Sequence, residues 1–272
     1  MHEFSRVFSA FFAYPKGAAT QEGDPFAGGP LFFIFAGEEM GLAMKMLLAA
    51  LLAPALMLSV PPANVGSVTV YGVQKQEQTD TIHFDGVYPQ FNGVQDRDRQ
   101  TELNNQMREW MNCALARAKA AVLTLPNGDG PKRVVESVYH YEVKRNSGGF
   151  VSLLFSDYLY AGGANGLDVK TGLTFSSVTG QKLLMEDLFA SDASYKEALN
   201  RILREQLKDR GLEGQLLRPF EGISGSENFY ITDSALVIVV RELEWFPHSM
   251  GTVEFSIPFS DVQMYLKEDL AL

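Results

Sequence analysis

The chain has 272 residues, of which 46% are hydrophobic and 21% charged, so its composition is that of a globular protein and not of a disordered one. Its formal charge of -10 at pH 7 argues against a nucleic-acid-binding protein, because neutralising phosphates requires clustered lysines and arginines. The single cysteine, Cys113, excludes an intrachain disulfide and a zinc site built on paired cysteines.

An apolar segment near the N-terminus predicts export. Met46–Leu58 contains no polar side chain, Lys45 precedes it, and small residues ending in Ala63 follow it. This arrangement is typical of a secretory signal peptide, which we place at residues 40–63 with cleavage near Ala63. The run is shorter than the ~20 residues of a membrane span. A retained single-pass anchor and a buried core helix are the two alternatives.

Residues 1–39 precede this segment and show no regular period. We interpret them as an over-extended gene start, with initiation at a methionine between residues 40 and 46, or as a disordered segment. A short cytoplasmic domain ahead of an anchor is the competing interpretation, but basic residues should then outnumber acidic ones there. Removing residues 1–63, which hold three basic and five acidic residues, leaves 20 basic and 28 acidic residues, a formal charge of -8.

The first elements of the exported part are two strands and a long helix. Val68–Gln74 and Thr79–Tyr88 are rich in β-branched and aromatic residues and predict strands. Apolar residues at three- and four-residue steps then predict one helix from Asp98 to Leu125. The apolar stripe of this helix consists of Leu103, Met107, Trp110, Met111, Ala114, Leu115, Ala118, Val122 and Leu125. Residues 126–131 combine prolines and glycines and end the helix.

A hairpin and two further turns follow. Val134–Arg145 and Phe150–Tyr160 alternate in polarity, and residues 146–149, with two glycines, join them as a hairpin. Thr171-Gly172 predicts a second turn, and Thr179-Gly180 a third.

A second helix begins near Ser194, where Ser194 and Glu197 have the spacing of a capping box, and ends at Gly211. Three strands and a short helix from Ser260 close the chain. The predicted strands are Phe229–Thr232, Ala235–Arg241 and Thr252–Phe259.

Strands and helices in this order do not alternate regularly, so the class is α+β, with antiparallel or mixed sheets and helices packed on one face. The pattern of strands, helix and strands occurs twice. We therefore expect two small lobes, at residues 64–160 and 161–272.

Several short motifs carry a family resemblance over about residues 66–270. They are residues 88–91 (YPQF), Leu103-Asn104, residues 161–166 (AGGANG), 173–175 (LTF), Thr179-Gly180, 186–189 (EDLF), 228–232 (NFYIT) and 251–258 (GTVEFSIP). Together they resemble the paired domains of unknown function found in the anti-sigma factor RsiV and in PdaC-type peptidoglycan deacetylases. Asn165 stands where the family often has histidine.

The resemblance implies a location and a kind of partner. In RsiV the paired domains lie outside the membrane and the ectodomain binds lysozyme, and in PdaC-type enzymes they precede the catalytic domain. Many members follow a signal peptide and stand alone, and this chain looks like such a member. The resemblance thus implies an envelope-facing binding module with a lysozyme-like protein or a peptidoglycan fragment as partner.

The glycine-rich loop is the first candidate binding site, through Gly162, Gly163, Asn165 and Gly166. It follows a strand and precedes no helix, so it lacks the helix N-terminus that phosphate loops use. The alternative is a tight turn in which glycine supplies positive φ.

The second candidate site is the loop that contains Trp245, Phe246 and His248. An exposed aromatic loop can grip a sugar or a protein, and packing of these rings into the core is the alternative. His83 and His140 lie in predicted strands, where we interpret them as structural.

No sequence motif indicates catalysis. The histidines lack zinc-hydrolase spacing, and no nucleophile elbow, Walker loop or dinucleotide fingerprint occurs, so we expect neither metal nor cofactor. Glu242 and Glu244, two apart on one predicted strand, could serve as the carboxylate pair of a glycosidase, and Asp187 is a further candidate acid. A solvated strand face is the more common reason for such a pair.

We therefore expect a non-catalytic, periplasmic or extracellular module that binds a cell-wall glycan or a lysozyme-like protein. A membrane-anchored regulator of the anti-sigma type and a peptidoglycan-acting hydrolase remain as alternatives.

Overall fold

The computed structural model describes residues 68–125, 133–163, 165–190, 192–268 and 270. The predicted signal peptide, its cleavage near Ala63, the segment 1–39 and the helix-ending run 126–131 lie outside the described residues. Among the helices that are described, none is both long and apolar enough to cross a membrane.

The first sheet has five strands in the order β1-β2-β3-β4-β5. Their bounds are Thr69–Gln78, Ile82–Asn92, Val135–Ser147, Phe150–Tyr160 and Leu167–Ser176. β2 and β3 pair in parallel and the other neighbours antiparallel. A parallel pair needs a crossover connection, and helix α1, Arg97–Val122, lies between β2 and β3 in the chain.

Helix α1 follows the predicted bounds closely. The Asp96 side chain accepts hydrogen bonds from the backbone N–H groups of Asp98 and Arg99 and so caps the first turn. Val122 and Leu125 of the predicted stripe are half-buried. The other seven members are buried: Leu103, Met107, Trp110, Met111, Ala114, Leu115 and Ala118. The stripe prediction is confirmed for these seven.

An amide side chain docks α1 onto β2. Asn104 Oδ1 accepts a hydrogen bond from the Phe91 N–H at 2.8 Å, and Asn104 Nδ2 donates to the Phe91 carbonyl at 3.0 Å. β3 pairs with β2 only over Ile82–Gly86, so Asn104 takes the place of a strand neighbour at Phe91. These two hydrogen bonds give a structural reason for asparagine at position 104.

The predicted hairpin between β3 and β4 is confirmed. Gly148 and Gly149 form its turn with φ of 60° and 84°, and two successive positive φ values are the requirement of a type I′ turn. The turn at Thr179-Gly180 is also confirmed, with φ of 67° at Gly180.

The predicted turn at Thr171-Gly172 is wrong, because β5 runs unbroken through both residues. A Cβ at Gly172 would lie 1.9 Å from the carbonyl oxygen of Phe229. Glycine is present here because another backbone approaches closely, which is a common reason for glycine within a strand.

The C-terminal elements form a second sheet covered by a helix. The sheet is antiparallel in the order β6-β7-β8, with strands Phe229–Ile231, Ala235–Val240 and Val253–Pro258. Helix α2 is Asp192–Asp209, and α3 is Phe259–Val262. Short 3₁₀ turns lie at Met185–Leu188, Glu213–Gln215, His248–Met250 and Gln263–Tyr265.

The two ends of α2 test the capping prediction. The helix begins at Asp192, so Ser194 lies inside it and the predicted capping box there is wrong. The predicted end at Gly211 is confirmed. Gly211 has φ of 64°, and the Leu212 N–H donates to the Leu207 carbonyl at 2.8 Å, as in a Schellman motif.

A common core lies between α2 and the second sheet. Its fully buried members include Tyr195, Leu199, Leu203, Ile238 and Phe255. On the other side of this sheet, Tyr230, Val237 and Val239 pack against Leu154 of β4. The second sheet therefore lies between its own helix and one end of the first sheet.

Polar groups fix the two sheets together. Asn228 accepts a hydrogen bond from the Gly172 N–H at 2.7 Å and donates to the Lys170 carbonyl at 3.0 Å. The Ile231 N–H donates to Ser152 Oγ at 2.9 Å.

The α+β class with mixed and antiparallel sheets is confirmed. The two-lobe division at residue 160 stays a prediction, and the sheet that contains β4 also contains β5 beyond that boundary.

Candidate binding surface

One face of the first sheet is free of α1. Alternate side chains of a strand point to opposite faces. Trp110 of α1 packs against Phe155 at 5.2 Å, which places the helix on the face of the odd-numbered β4 residues. We call eight residues of the other face the open face. They are His83, Asp85, Glu136, Val138, His140, Tyr158, Tyr160 and Asp168.

The pairing register arranges these residues in rows across the sheet. Asp85 pairs with Val138, Val138 with Tyr158, and Tyr158 with Asp168. In the next row Glu136 pairs with Tyr160. The middle of the open face is therefore apolar and aromatic, and carboxylates stand beside it.

The open face is accessible. Val138 is 41% exposed, an unusual value for an apolar residue in a central strand. Both predicted strand histidines, His83 and His140, are exposed and do not pack in the core, whereas Tyr158 and Tyr160 are half-buried. Strands with one solvated face usually alternate apolar buried residues with polar exposed ones. This pattern explains the exposed charged residues of the open face, but it does not explain the exposed Val138.

The charge of the open face is negative. Three of its eight residues are carboxylic acids. Lys170 lies on the same face of β5, two residues beyond Asp168. At its border Lys144 donates a hydrogen bond to Glu142, which lowers the pKa of that carboxyl group. Lys170 also stands near Glu142 and contributes to the same lowering. The charge of Glu142 is thus compensated locally by two lysines.

The predicted glycine loop borders the open face. Tyr160 Oη donates a hydrogen bond to the Gly163 carbonyl at 3.1 Å. A Cβ at Gly166 would lie 2.4 Å from the Tyr158 ring, so the loop backbone lies against that ring. Gly162 and Gly163 have φ of 79° and 127°, and a Cβ at Gly163 would meet no atom within 4 Å. These glycines are needed for backbone conformation, and they hold the two tyrosines in place.

Replacing Gly163 with alanine is expected to lower the free energy of unfolding by about 1–3 kcal/mol, because alanine does not readily adopt φ of 127°. The exposed side chain of Asn165 makes Asn165→Ala the matched control, with a change within about 0.5 kcal/mol. Urea denaturation of both variants measures the difference. Equal midpoints for Gly163→Ala and wild type would contradict the assignment.

The second predicted site is mainly a packing feature. Phe246 is fully buried and faces Phe255, so its ring cannot contact a partner while the fold persists. Trp245 is half-buried, with its ring 5.0 Å from that of Phe220. A binding role for Trp245 and His248 stays a prediction.

The predicted acidic residues have local partners. Glu242 Oε2 lies 2.6 Å from His248 Nδ1, and Glu244 accepts a hydrogen bond from the Arg241 N–H at 2.9 Å. Asp187 accepts one from the Leu184 N–H at 2.7 Å. Among the residues with defined structure, no three His, Cys, Asp or Glu side chains cluster in a way that could hold a metal ion.

The structure brings only one of the two predicted sites to the open face. The glycine loop contacts Tyr158 and Tyr160, whereas the Trp245 loop contacts Phe220 and Phe255. Sequence reasoning missed the open face itself. Its only local signal was the alternation of exposed polar residues in β2 and β3, which does not reveal which strands pair.

Comparison with known families agrees with the motif pattern. The family model described as deacetylase PdaC matches residues 75–168, and that described as a protein of unknown function, DUF3298, matches residues 186–260. The two matches, in this order along the chain, agree with the predicted pair of domains. The open face lies in the PdaC-type part, and the Trp245 loop lies in the DUF3298 part. Neither match identifies a catalytic family.

Solved structures of DUF3298 family members share the fold. A DUF3298 family member from Bacteroides fragilis is 16% identical with a TM-score of 0.54, and the alignment covers 76% of this chain and 96% of that one. A DUF3298 family protein from Pseudomonas aeruginosa is 13% identical with a TM-score of 0.56, covering 75% and 97%. No curated protein matches the chain. At these identities the comparison concerns the fold alone.

Proposed function

We propose that the protein is a non-catalytic binding module of the bacterial cell envelope that recognises a lysozyme-like protein or a cell-wall glycan. The observation that carries the proposal is the open face, a sheet surface with exposed Val138, two tyrosines and three carboxylates. Exposed apolar and aromatic groups surrounded by polar ones are typical of recognition surfaces. The pairing of PdaC-type and DUF3298 domains supports an envelope role through the resemblance to RsiV.

Charge supports a basic partner in particular. Residues 64–272 have a formal charge of -8, which attracts a basic protein over long range. We expect isolated residues 64–272 to bind a basic lysozyme reversibly and without turnover. Binding should weaken as salt rises, because the Debye length falls from about 30 Å at 0.01 M to about 10 Å at 0.1 M.

Calorimetry against a basic lysozyme and against soluble muropeptides, at low and high salt, tests this expectation. A zymogram on peptidoglycan serves as the control for turnover. If neither ligand binds below about 1 mM, the proposal fails. Complete loss of lysozyme binding at moderate salt would reduce the interaction to nonspecific attraction.

The proposal places the protein in the periplasm or at the cell surface after removal of residues 1–63. Expression of the full chain in a bacterial host should yield an extracytoplasmic species that begins near residue 64, because the apolar run is shorter than the ~20 residues of a membrane span. Mass spectrometry of the mature N-terminus measures this. Recovery of residues 1–40 on the exported species would contradict it.

A further inference from the structure

We infer that the open face is the docking surface, and that its occupant is a basic protein that presents arginine or lysine side chains around an apolar contact. This inference rests on the proposed function and selects one of its two partner classes. It assigns the contact to the PdaC-type part of the chain and not to the Trp245 loop.

The layout of the open face resembles the centre and rim of a protein interface. Asp85, Val138, Tyr158 and Asp168 follow one another across four strands. Neighbouring strands are about 4.8 Å apart, so the two aspartate Cα atoms lie roughly 14 Å from each other, with the valine and the tyrosine between them. Interface centres favour aromatic residues, and charges belong to the rim.

The negative charge selects a basic protein over a glycan. Carboxylates form paired hydrogen bonds with arginine side chains, and tyrosine rings stack on cations. Carboxylates can also accept hydrogen bonds from sugar hydroxyls, but a muropeptide that carries its own carboxylates is repelled by the negative charge. Asp85 and Glu136 are exposed and therefore available to such a partner.

The aromatic centre is held in position before binding. Tyr160 is tied to the Gly163 carbonyl, and the Tyr158 ring lies against Gly166. Side chains that are already ordered lose less conformational entropy on association. The glycine loop thus contributes to docking through the tyrosines it holds.

The test compares two double charge reversals of residues 64–272. Asp85→Lys/Glu136→Lys changes the open face, and Glu109→Lys/Asp209→Lys makes the same change of net charge at exposed positions on α1 and α2. All four side chains are exposed, and urea denaturation checks that both variants fold. A basic lysozyme is the probe, with basic cytochrome c as a control for nonspecific attraction and soluble muropeptides as the glycan probe.

We expect the open-face variant to bind lysozyme at least about ten-fold more weakly, and the helix variant to stay within about three-fold of wild type. Equal weakening in both variants would overturn the inference and leave the proposed function standing. Binding of muropeptides but not of lysozyme would also overturn the inference and leave the proposed function standing. Equal binding of cytochrome c overturns the inference as well, and binding to none of the three probes overturns both proposals.

Discussion

Removing the carboxylate of Asp157 is expected to lower the free energy of unfolding by about 3–5 kcal/mol. Asp157 of β4 forms an ion pair with Arg117 of α1, and the two side chains are 2% and 10% exposed. Asp157→Ala leaves the guanidinium buried without that carboxylate, and the cost of burying a charge is then no longer offset. Urea denaturation with an unchanged m-value measures the loss.

A matched exposed pair provides the control. Arg99 and Glu102 form an ion pair on the surface of α1, with side chains 57% and 64% exposed. Glu102→Ala is expected to cost less than about 1 kcal/mol, because water screens the pair. Replacing both buried partners together, as Arg117→Met/Asp157→Leu, should cost less than Asp157→Ala alone. Equal losses for Asp157→Ala and Glu102→Ala would show that the buried pair does not stabilise the fold.

Adding one methyl group at Gly172 is expected to destabilise the protein by about 3 kcal/mol or more, the upper end of overpacking costs. The new Cβ would lie 1.9 Å from the Phe229 carbonyl oxygen and 2.5 Å from its carbon. Both are backbone atoms, so no change of rotamer relieves the clash and the two sheets must separate. Separation also weakens the hydrogen bond from the Gly172 N–H to Asn228.

Gly214 provides the corresponding control. A Cβ there meets no atom within 4 Å and its φ is not positive. Gly214→Ala should therefore be neutral or stabilising by up to about 1 kcal/mol, because alanine restricts the unfolded chain. Thermal and urea unfolding of the two variants make the comparison. If Gly172→Ala unfolds at the same midpoint as Gly214→Ala, the result would contradict the close contact between the backbones of Gly172 and Phe229.

Local features were predictable because their causes are local. The apolar stripe of α1, the Gly148-Gly149 turn and the end of α2 at Gly211 each depend on residues a few positions apart. The spacing of apolar residues predicts a helix, and glycine indicates a position with positive φ, so both requirements can be recognised directly from the sequence. The domain pair was recognisable for a related reason, since several of its motifs mark turns and strand ends.

Three features were predicted wrongly or left open by the sequence. Gly172 was predicted to lie in a turn, but glycine also occurs in strands where another backbone approaches closely. Only the position of Phe229 distinguishes these two roles. The sequence of the Trp245 loop is compatible with exposure and with packing, and only the second sheet shows that Phe246 is buried. Ser194 had cap spacing, yet α2 starts two residues earlier.

The sequence by itself determined the α+β class, the main helices and strands, and the likeness to a pair of domains of unknown function. Only the tertiary structure decided which residues share a surface. The open face joins β2, β3, β4 and β5, so Asp85 and Asp168 stand in one row although 83 positions separate them. The alternation along a strand predicts which face of the sheet a side chain lies on. Its neighbours on that face depend on strand pairing and register, which are set by the whole sheet.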